Sequence, residues 1–276
     1  MPLYQVILLA FVQGVTEFLP ISSSAHLALA PWLLGWKDPG LTFDIALHLG
    51  TLIAVIVYFY KDWMQLIAQG FGFRYGQDPD LKQNPHLLWL LAAGTIPVGI
   101  AGVAFSKQAE TTWRSPFVIA TMLILVGVLM WIAEKRGTGT RSVGDISPFD
   151  AVFIGLAQAL AVIPGTSRSG ITMTAGMYRN LDRPSAARFS FLLATPATGA
   201  AGLKALYDLY KLGGVSPEQQ TQFIIGIVVS GLTGAFAISV LLRFLRRHST
   251  LVFIVYRILL GIIVVALAFS LRAVAE

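Results

Sequence analysis

The stretch "QGVTEFLPISSSAH", Gln13 to His26, follows directly on the apolar run "LYQVILLAFV". It puts a glutamine, a glutamate, a proline, three serines and a histidine where a hydrophobic helix should simply continue. Pro20 has no backbone N–H and biases Leu19 away from helical geometry, so a helix entering from the N-terminus stops there. Ser22, Ser23 and Ser24 are good N-caps for a second short helix that contains His26. The segment therefore predicts a helix, a break and a returning helix, with polar groups at the break.

The surroundings make that break unusual. Of the 276 residues, 55% are hydrophobic and only 12% charged, and the mean hydropathy is +0.71. Several uninterrupted apolar stretches approach the ~20 helical residues that cross a bilayer. The chain reads as an integral membrane protein. The polar stretches 72–86 and 134–148 are loop-sized, so we expect one membrane domain over residues 1–276 and no soluble domain. The net charge of +6 is not a sign of nucleic-acid binding, because basic residues in such chains gather in cytoplasmic loops and near lipid headgroups. With no cysteine, disulfides, thiolate metal sites and cysteine nucleophiles are excluded. The N-terminal run is not a signal peptide on this reading: it lacks a basic leader, and Glu17 and Pro20 stand where an apolar core should end.

Six segments read as full spans: about 43–60, 87–105, 116–133, 187–206, 222–243 and 250–271. Trp63, Trp89, Trp113 and Trp131 fall near span ends, as in an interfacial belt. Residues 3–19 and 149–163 are shorter, and each runs into a proline, Pro20 or Pro164. "EFLPISSSAH" compares with "AVIPGTSRSG", and an offset of 144 residues aligns the two prolines. The same offset carries the span near 44 onto 188 and that near 116 onto 260; the middle spans align less well. Two pseudo-repeats of about 1–140 and 141–276 result, each with three spans and one re-entrant hairpin. An odd number of crossings inverts the second half relative to the first, an architecture in which broken helices meet near the midplane. Such breaks are tolerated in a bilayer only where protein or water surrounds them. The fold expected is thus an all-α polytopic membrane protein with six spans and two re-entrant helical hairpins.

Charge counting sets the orientation. One side carries Lys61, Arg74, Lys82, Lys135, Arg136, Arg141, Arg179, Arg183, Arg243, Arg246 and Arg247; the other carries Lys37, Lys107, Arg114, Lys211 and Arg272. The richer side is expected in the cytoplasm, which leaves both termini and the mouth of the first hairpin outside.

Gln13 and Glu17 are four residues apart and share a helix face. A glutamate at membrane depth needs a partner, water or a cation; the plainer alternative is a solvated group at an interfacial helix end. The serines would turn free N–H groups toward the break, an anion site, or serve only as caps. His26 could be general acid, base or nucleophile, or could hydrogen-bond a backbone carbonyl between helices. In "PGTSRSG", Pro164 to Gly170, Thr166, Ser167 and Ser169 can cap, and Arg168 offers a planar fork suited to phosphate, unless it snorkels to headgroups. If the hairpins meet, Glu17, Ser23, His26 and Arg168 share one cavity suited to phosphoryl transfer. Asp44 and His48 read as interfacial, and Arg188 as structural.

These two stretches resemble the signature motifs of the undecaprenyl-pyrophosphate phosphatases, the bacitracin-resistance family: Glu or Gln, three residues, Glu, then Leu-Pro and a serine turn ending in His, and later Pro-Gly-x-Ser-Arg-Ser-Gly. "FSFLLATP", from Phe189, is also similar, and the resemblance extends over the chain. It implies hydrolysis of undecaprenyl pyrophosphate to the monophosphate in the bacterial inner membrane, recycling the carrier for peptidoglycan and other envelope polymers. It also implies a divalent cation, Mg²⁺ or Ca²⁺, an inverted-repeat fold and a site open to the periplasm. By the same resemblance Glu17 binds the cation or acts as base. Gln13 fills the Glu-or-Gln position, so no second carboxylate stands there. Ser23 contacts phosphate or attacks it, and His26 competes as nucleophile or serves as general acid. Arg168 clamps the pyrophosphate, assisted by Ser167, with Gln13, Ser22, Ser24, Thr166 and Ser169 as further substrate contacts. Ala25 replaces the family's glycine before the histidine. A transporter that flips the lipid monophosphate through the same site is the alternative. Membrane lipids are the other partners, nucleic acid is not expected, and a homodimer is left open.

Overall fold

The protein is described by a computed structural model covering residues 1–37, 40–211 and 213–275, with side chains for all of these except 41, 110 and 271–275. The side chain of Arg272, counted above, is outside this set.

The chain is helical throughout the described residues. In order, the helices are α1 (Leu3–Phe18), α2 (Ser23–Leu34), α3 (Leu41–Tyr58), α4 (Tyr60–Gly70), α5 (Pro79–Gln83), α6 (Leu87–Ala104), α7 (Ser106–Glu110), α8 (Pro116–Arg136), α9 (Pro148–Ala159), α10 (Arg168–Tyr178), α11 (Arg183–Lys211), α12 (Pro217–Leu245) and α13 (Leu251–Ala275). Long helices stand at all six places where spans were expected. Among the described residues α6, α8, α12 and α13 are long and apolar enough to cross a membrane on their own. α3 joins them when counted with α4, which turns away at 70°. α11 is not among them: between its charged ends run the small and polar residues Thr195, Pro196, Thr198, Gly199 and Gly202, which lower its hydropathy.

The protein is inside-out, as a bilayer requires. Val103, Leu203, Leu232 and Phe236 are well exposed on its flanks, whereas Gln13, Asp150, Gln158 and Arg257 are fully buried. Lipid cannot satisfy polar groups, so they turn inward.

Both breaks are formed as expected. α1 ends at Leu19 in extended geometry, and α2 begins behind Ser22 at φ +77°. α9 passes through a short 3₁₀ turn, Leu160–Val162, and α10 begins behind Ser167 at φ +67°. Positive φ is costly for a serine and persists only where its surroundings enforce it. Ser22 Oγ accepts from Ala25 N at 3.4 Å and Ser167 Oγ from Gly170 N at 3.1 Å. Equivalence therefore runs Ser22 to Ser167, an offset one residue longer than the prolines suggest. Pro164 thus stands one residue further from its capping serine than Pro20 does, and the longer loop carries Gly165 at φ +91°, where a Cβ would lie 2.4 Å from the Ile119 carbonyl oxygen.

Packing repeats between the halves. α1 packs on α12 as α9 packs on α6; α3 meets α11, and α8 meets α13. α6 and α9 approach closely enough that a Cβ at Gly155 would lie 2.3 Å from the Gly94 carbonyl oxygen. The hairpins enter from opposite ends. α1 starts beside the start of α12, where Gln222 Nε2 donates to Met1 O at 3.0 Å. α9 starts beside the start of α6, where Asn84 Nδ2 donates to Ile146 O at 2.8 Å.

Polar clasps close the second end. Arg188 bonds Asp62 at 2.7 Å and Asp78 at 3.0 Å, which is a structural role. Asp150 holds Arg141 and Arg179, each at 2.6 Å. Glu134 receives Arg183 and the Thr250 hydroxyl. Arg141, Arg179 and Arg183 belong to the set counted as the richer in basic residues, and Arg188 joins them at this end.

Candidate active site

The hairpin tips cross. Ser24 Oγ accepts from Gly165 N at 3.4 Å, and Ser169 Oγ donates to Leu19 O at 3.1 Å. Equivalent serines thus reach across to the opposite loop. Within each tip the same pair of hydroxyls touches: Ser22 with Ser24 at 3.1 Å, and Ser167 with Ser169 at 3.2 Å.

Arg257 of α13 fastens the crossing. It is fully buried and donates to the carbonyls of Pro20, Gly165, Thr166, Met122 and Leu123 at 2.9–3.3 Å. Five carbonyl dipoles around one guanidinium replace the water it has lost. Both tips are held by this one side chain. The sequence reading missed it, although a lone arginine inside the apolar segment "LVFIVYRILLGIIVV" was a visible signal.

Glu17 is the centre of the site. Its Oε2 accepts from Ser23 Oγ at 2.5 Å and from Gln13 Nε2 at 3.1 Å. On its other side Arg168 Nη2 stands 4.0 Å from Oε1, and the carboxylate is only 12% exposed. Arg168 is the charge acting most strongly on Glu17, and His48 is the next. His48 was expected at an interface; instead the packing of α1 on α3 brings it within electrostatic reach of the carboxylate. A narrow cavity of about 20 Å³ is lined by Glu17, Thr51, Arg168, Ser169, Ser190 and Thr198, among others. It holds about one water molecule.

The expected single cavity is not formed as drawn. Neither Ser23 nor His26 lines it: Ser23 reaches Glu17 from outside the cavity, and His26 Nδ1 meets Ser22 O at 2.7 Å while Nε2 meets the Tyr256 hydroxyl at 2.7 Å. Both ring nitrogens are engaged, and the ring stacks on Tyr256 with centroids 5.7 Å apart. The plainer reading of His26, a histidine on a backbone carbonyl, describes its contact with Ser22. Of the residues expected to bind substrate, Ser169 alone lines the cavity. Ser22 and Ser167 are spent as caps, Ser24 is exposed and turned to Gly165, and Gln13 is buried behind Glu17. Thr166 is fully buried, with no partner for its hydroxyl among the described residues. Thr51, Ser190 and Thr198 were not singled out from the sequence; lone hydroxyl residues inside spans carry no motif.

A family model described as "Bacitracin resistance protein BacA" matches residues 6–263. The chain belongs to this family. Among curated relatives, an "Undecaprenyl-diphosphatase" of Moorella thermoacetica is 49% identical over 266 residues, covering 96% of this chain and 98% of the relative. One of Gemmatimonas aurantiaca is 48% identical with the same coverage, and one of Pelotomaculum thermopropionicum is 44% identical over 97% of each chain. The family match encloses both hairpins and Arg257.

A cation site can be judged from the donors present. Among the described residues no three His, Cys, Asp or Glu side chains group together. Glu17 brings one carboxylate, and beside it Gln13 Oε1 is buried with no hydrogen-bond partner. Gln13 turns its Nε2 and not its oxygen to Glu17, so the carboxylate is the hard ligand here; it suits Mg²⁺ or Ca²⁺, the former especially when substrate phosphate and water complete the shell.

Proposed function

We propose that the protein hydrolyses undecaprenyl pyrophosphate to undecaprenyl phosphate and inorganic phosphate, with Ser23 as the nucleophile. The observation that carries this is the 2.5 Å hydrogen bond from Ser23 Oγ to Glu17 Oε2, with Arg168 across the same carboxylate. A hydroxyl bonded to a carboxylate that has a guanidinium on its other side is a nucleophile, a base and an anion clamp around one group.

Glu17 takes the Ser23 proton as Oγ attacks the terminal phosphorus. An Oγ–P bond forms, the anhydride P–O bond breaks, and undecaprenyl phosphate leaves. Glu17 passes the Ser23 proton to the departing undecaprenyl phosphate and is a carboxylate again; water then attacks the phosphoserine and gives one proton to Glu17, the P–Oγ bond breaks, Glu17 returns that proton to Ser23 Oγ, and inorganic phosphate departs. Arg168 stabilises charge on the phosphoryl oxygens in both steps. Phosphoryl transfer of this kind depends mainly on positioning and charge. Glu17, steadied by the hydrogen bond from Gln13 Nε2, would hold the cation, which would neutralise phosphate charge when bound. His26 serves differently: by bonding the Ser22 carbonyl it supports the positive-φ turn that aims Ser23.

The two halves form an inverted repeat on this reading, in the bacterial inner membrane, with the end rich in Arg and Lys in the cytoplasm and the site reached from the other face. The names of the relatives support hydrolysis and give the transporter alternative no support. Phosphate release from the lipid pyrophosphate by protein purified in detergent, where two compartments do not exist, tests the reading; no release with cation present sinks it.

A further inference from the structure

Arg168 has two polar side-chain neighbours among the described residues. One is Glu17, with Nη2 at 4.0 Å from Oε1. The other is Thr198 of α11, whose Oγ1 accepts from Nη1. Thr198 also donates to the Ala194 carbonyl at 2.9 Å. Its only hydrogen is thereby committed, and a lone pair is left to face the guanidinium. The residue is nearly buried, 9% exposed, and it lines the cavity together with Glu17 and Arg168.

The spacing matters. A carboxylate and a guanidinium in a largely enclosed site attract strongly, and their preferred arrangement is a bidentate pair at 2.7–2.9 Å. Glu17 and Arg168 stop short of it. Closed on each other, the base and the anion clamp would both be consumed and the cavity between them lost. The hydrogen bond to Thr198 draws the guanidinium to the α11 side and keeps the gap open.

We propose that Thr198 is a positioning residue that holds Arg168 off Glu17, so that a phosphate group enters between them. The assignment rests on the phosphohydrolase reading for its consequence, though not for its geometry. Thr198→Val keeps the shape and removes the acceptor, and Thr198→Ser keeps the acceptor.

The test measures two quantities on protein purified in detergent with Mg²⁺: calorimetric binding of inorganic pyrophosphate, and the kinetics of phosphate release from undecaprenyl pyrophosphate. Loss of one hydrogen bond to a charged group predicts about 10-fold weaker pyrophosphate binding and about 10-fold higher KM for Thr198→Val, with kcat less changed. Thr198→Ser should stay within about twofold of wild type. Thr198→Ala, which relieves any misfit of the valine, should follow Thr198→Val. The proposal is overturned if Thr198→Val and Thr198→Ala bind pyrophosphate as wild type does. It is also overturned if Thr198→Ser fails as they do, which traces the loss to packing, or if wild type binds no pyrophosphate. Wild type that binds pyrophosphate and releases no phosphate from the lipid defeats the hydrolase reading alone, and the Thr198 comparison still decides this one.

Discussion

Ser23 and Arg168 occupy the same position in the two halves of the chain: each is the first helical residue behind a serine at positive φ. Gln13 and Gln158, both fully buried, stand at equal distances before those serines. Where the first half has Glu17, the second has Val162. One scaffold has thus been used twice, once to present a hydroxyl beside a carboxylate and once to present a guanidinium. The two meet at Glu17, Ser23 Oγ at 2.5 Å from Oε2 and Arg168 Nη2 at 4.0 Å from Oε1.

The division of labour between Ser23 and His26 predicts unequal mutants. Ser23→Ala removes the attacking oxygen and should lower kcat by roughly 10³-fold or more. His26→Ala loosens the turn without removing a reacting group, so a loss of about 10-fold is expected. Initial rates of phosphate release check this; equal losses would reject it.

Arg257 is predicted to be a stability residue. Arg257→Met leaves five carbonyls without their donor, and each unsatisfied buried group costs on the order of 1–3 kcal/mol. The melting temperature in detergent should fall sharply, and activity should fall with it. Arg257→Lys, a point donor that cannot span both tips, should recover only part of the loss.

Cation dependence follows from the Glu17 carboxylate and the Gln13 amide that supports it. Chelation should abolish phosphate release, and Mg²⁺ should restore it. Gln13→Leu should raise the Mg²⁺ concentration needed for half-maximal rate by about 10-fold, the scale of a lost supporting contact at a metal site. A rate that ignores the chelator would remove the cation from the account.

Acid stability offers a separate check at the clasped end. Burial raises the pKa of Asp78, but the hydrogen bond from Arg188 and the Leu81 N–H outweigh it, so the carboxyl is held below its ordinary range. A depressed carboxylate contributes stability that is present above its unfolded pKa and lost as pH falls through the folded one. Melting temperature should therefore decline on acidification below about pH 4, and Asp78→Asn should flatten that decline while lowering stability at neutral pH.

Much of this was legible in the sequence because prolines and serines act locally. Pro20 and Pro164 announced both breaks, and Glu17 and Arg168 were conspicuous as charges among apolar neighbours. What was not legible depends on three-dimensional convergence. The direction of His26 is set by Tyr256, 230 residues away, and no spacing encodes it. The one-residue shift at Gly165 is invisible to an alignment on prolines. Thr198 acquires a role only because α11 lies against α10. Arg257 gave a signal, but its five partners come from three separate segments.

The central claim is that Ser23 attacks phosphorus with Glu17 as its base. The most direct measurement is to quench the purified protein during turnover of undecaprenyl pyrophosphate labelled in its terminal phosphate and map the label. The account predicts label on Ser23, absent in Ser23→Ala and not formed in Glu17→Gln. Label on His26, or full phosphate release by Ser23→Ala, would contradict it.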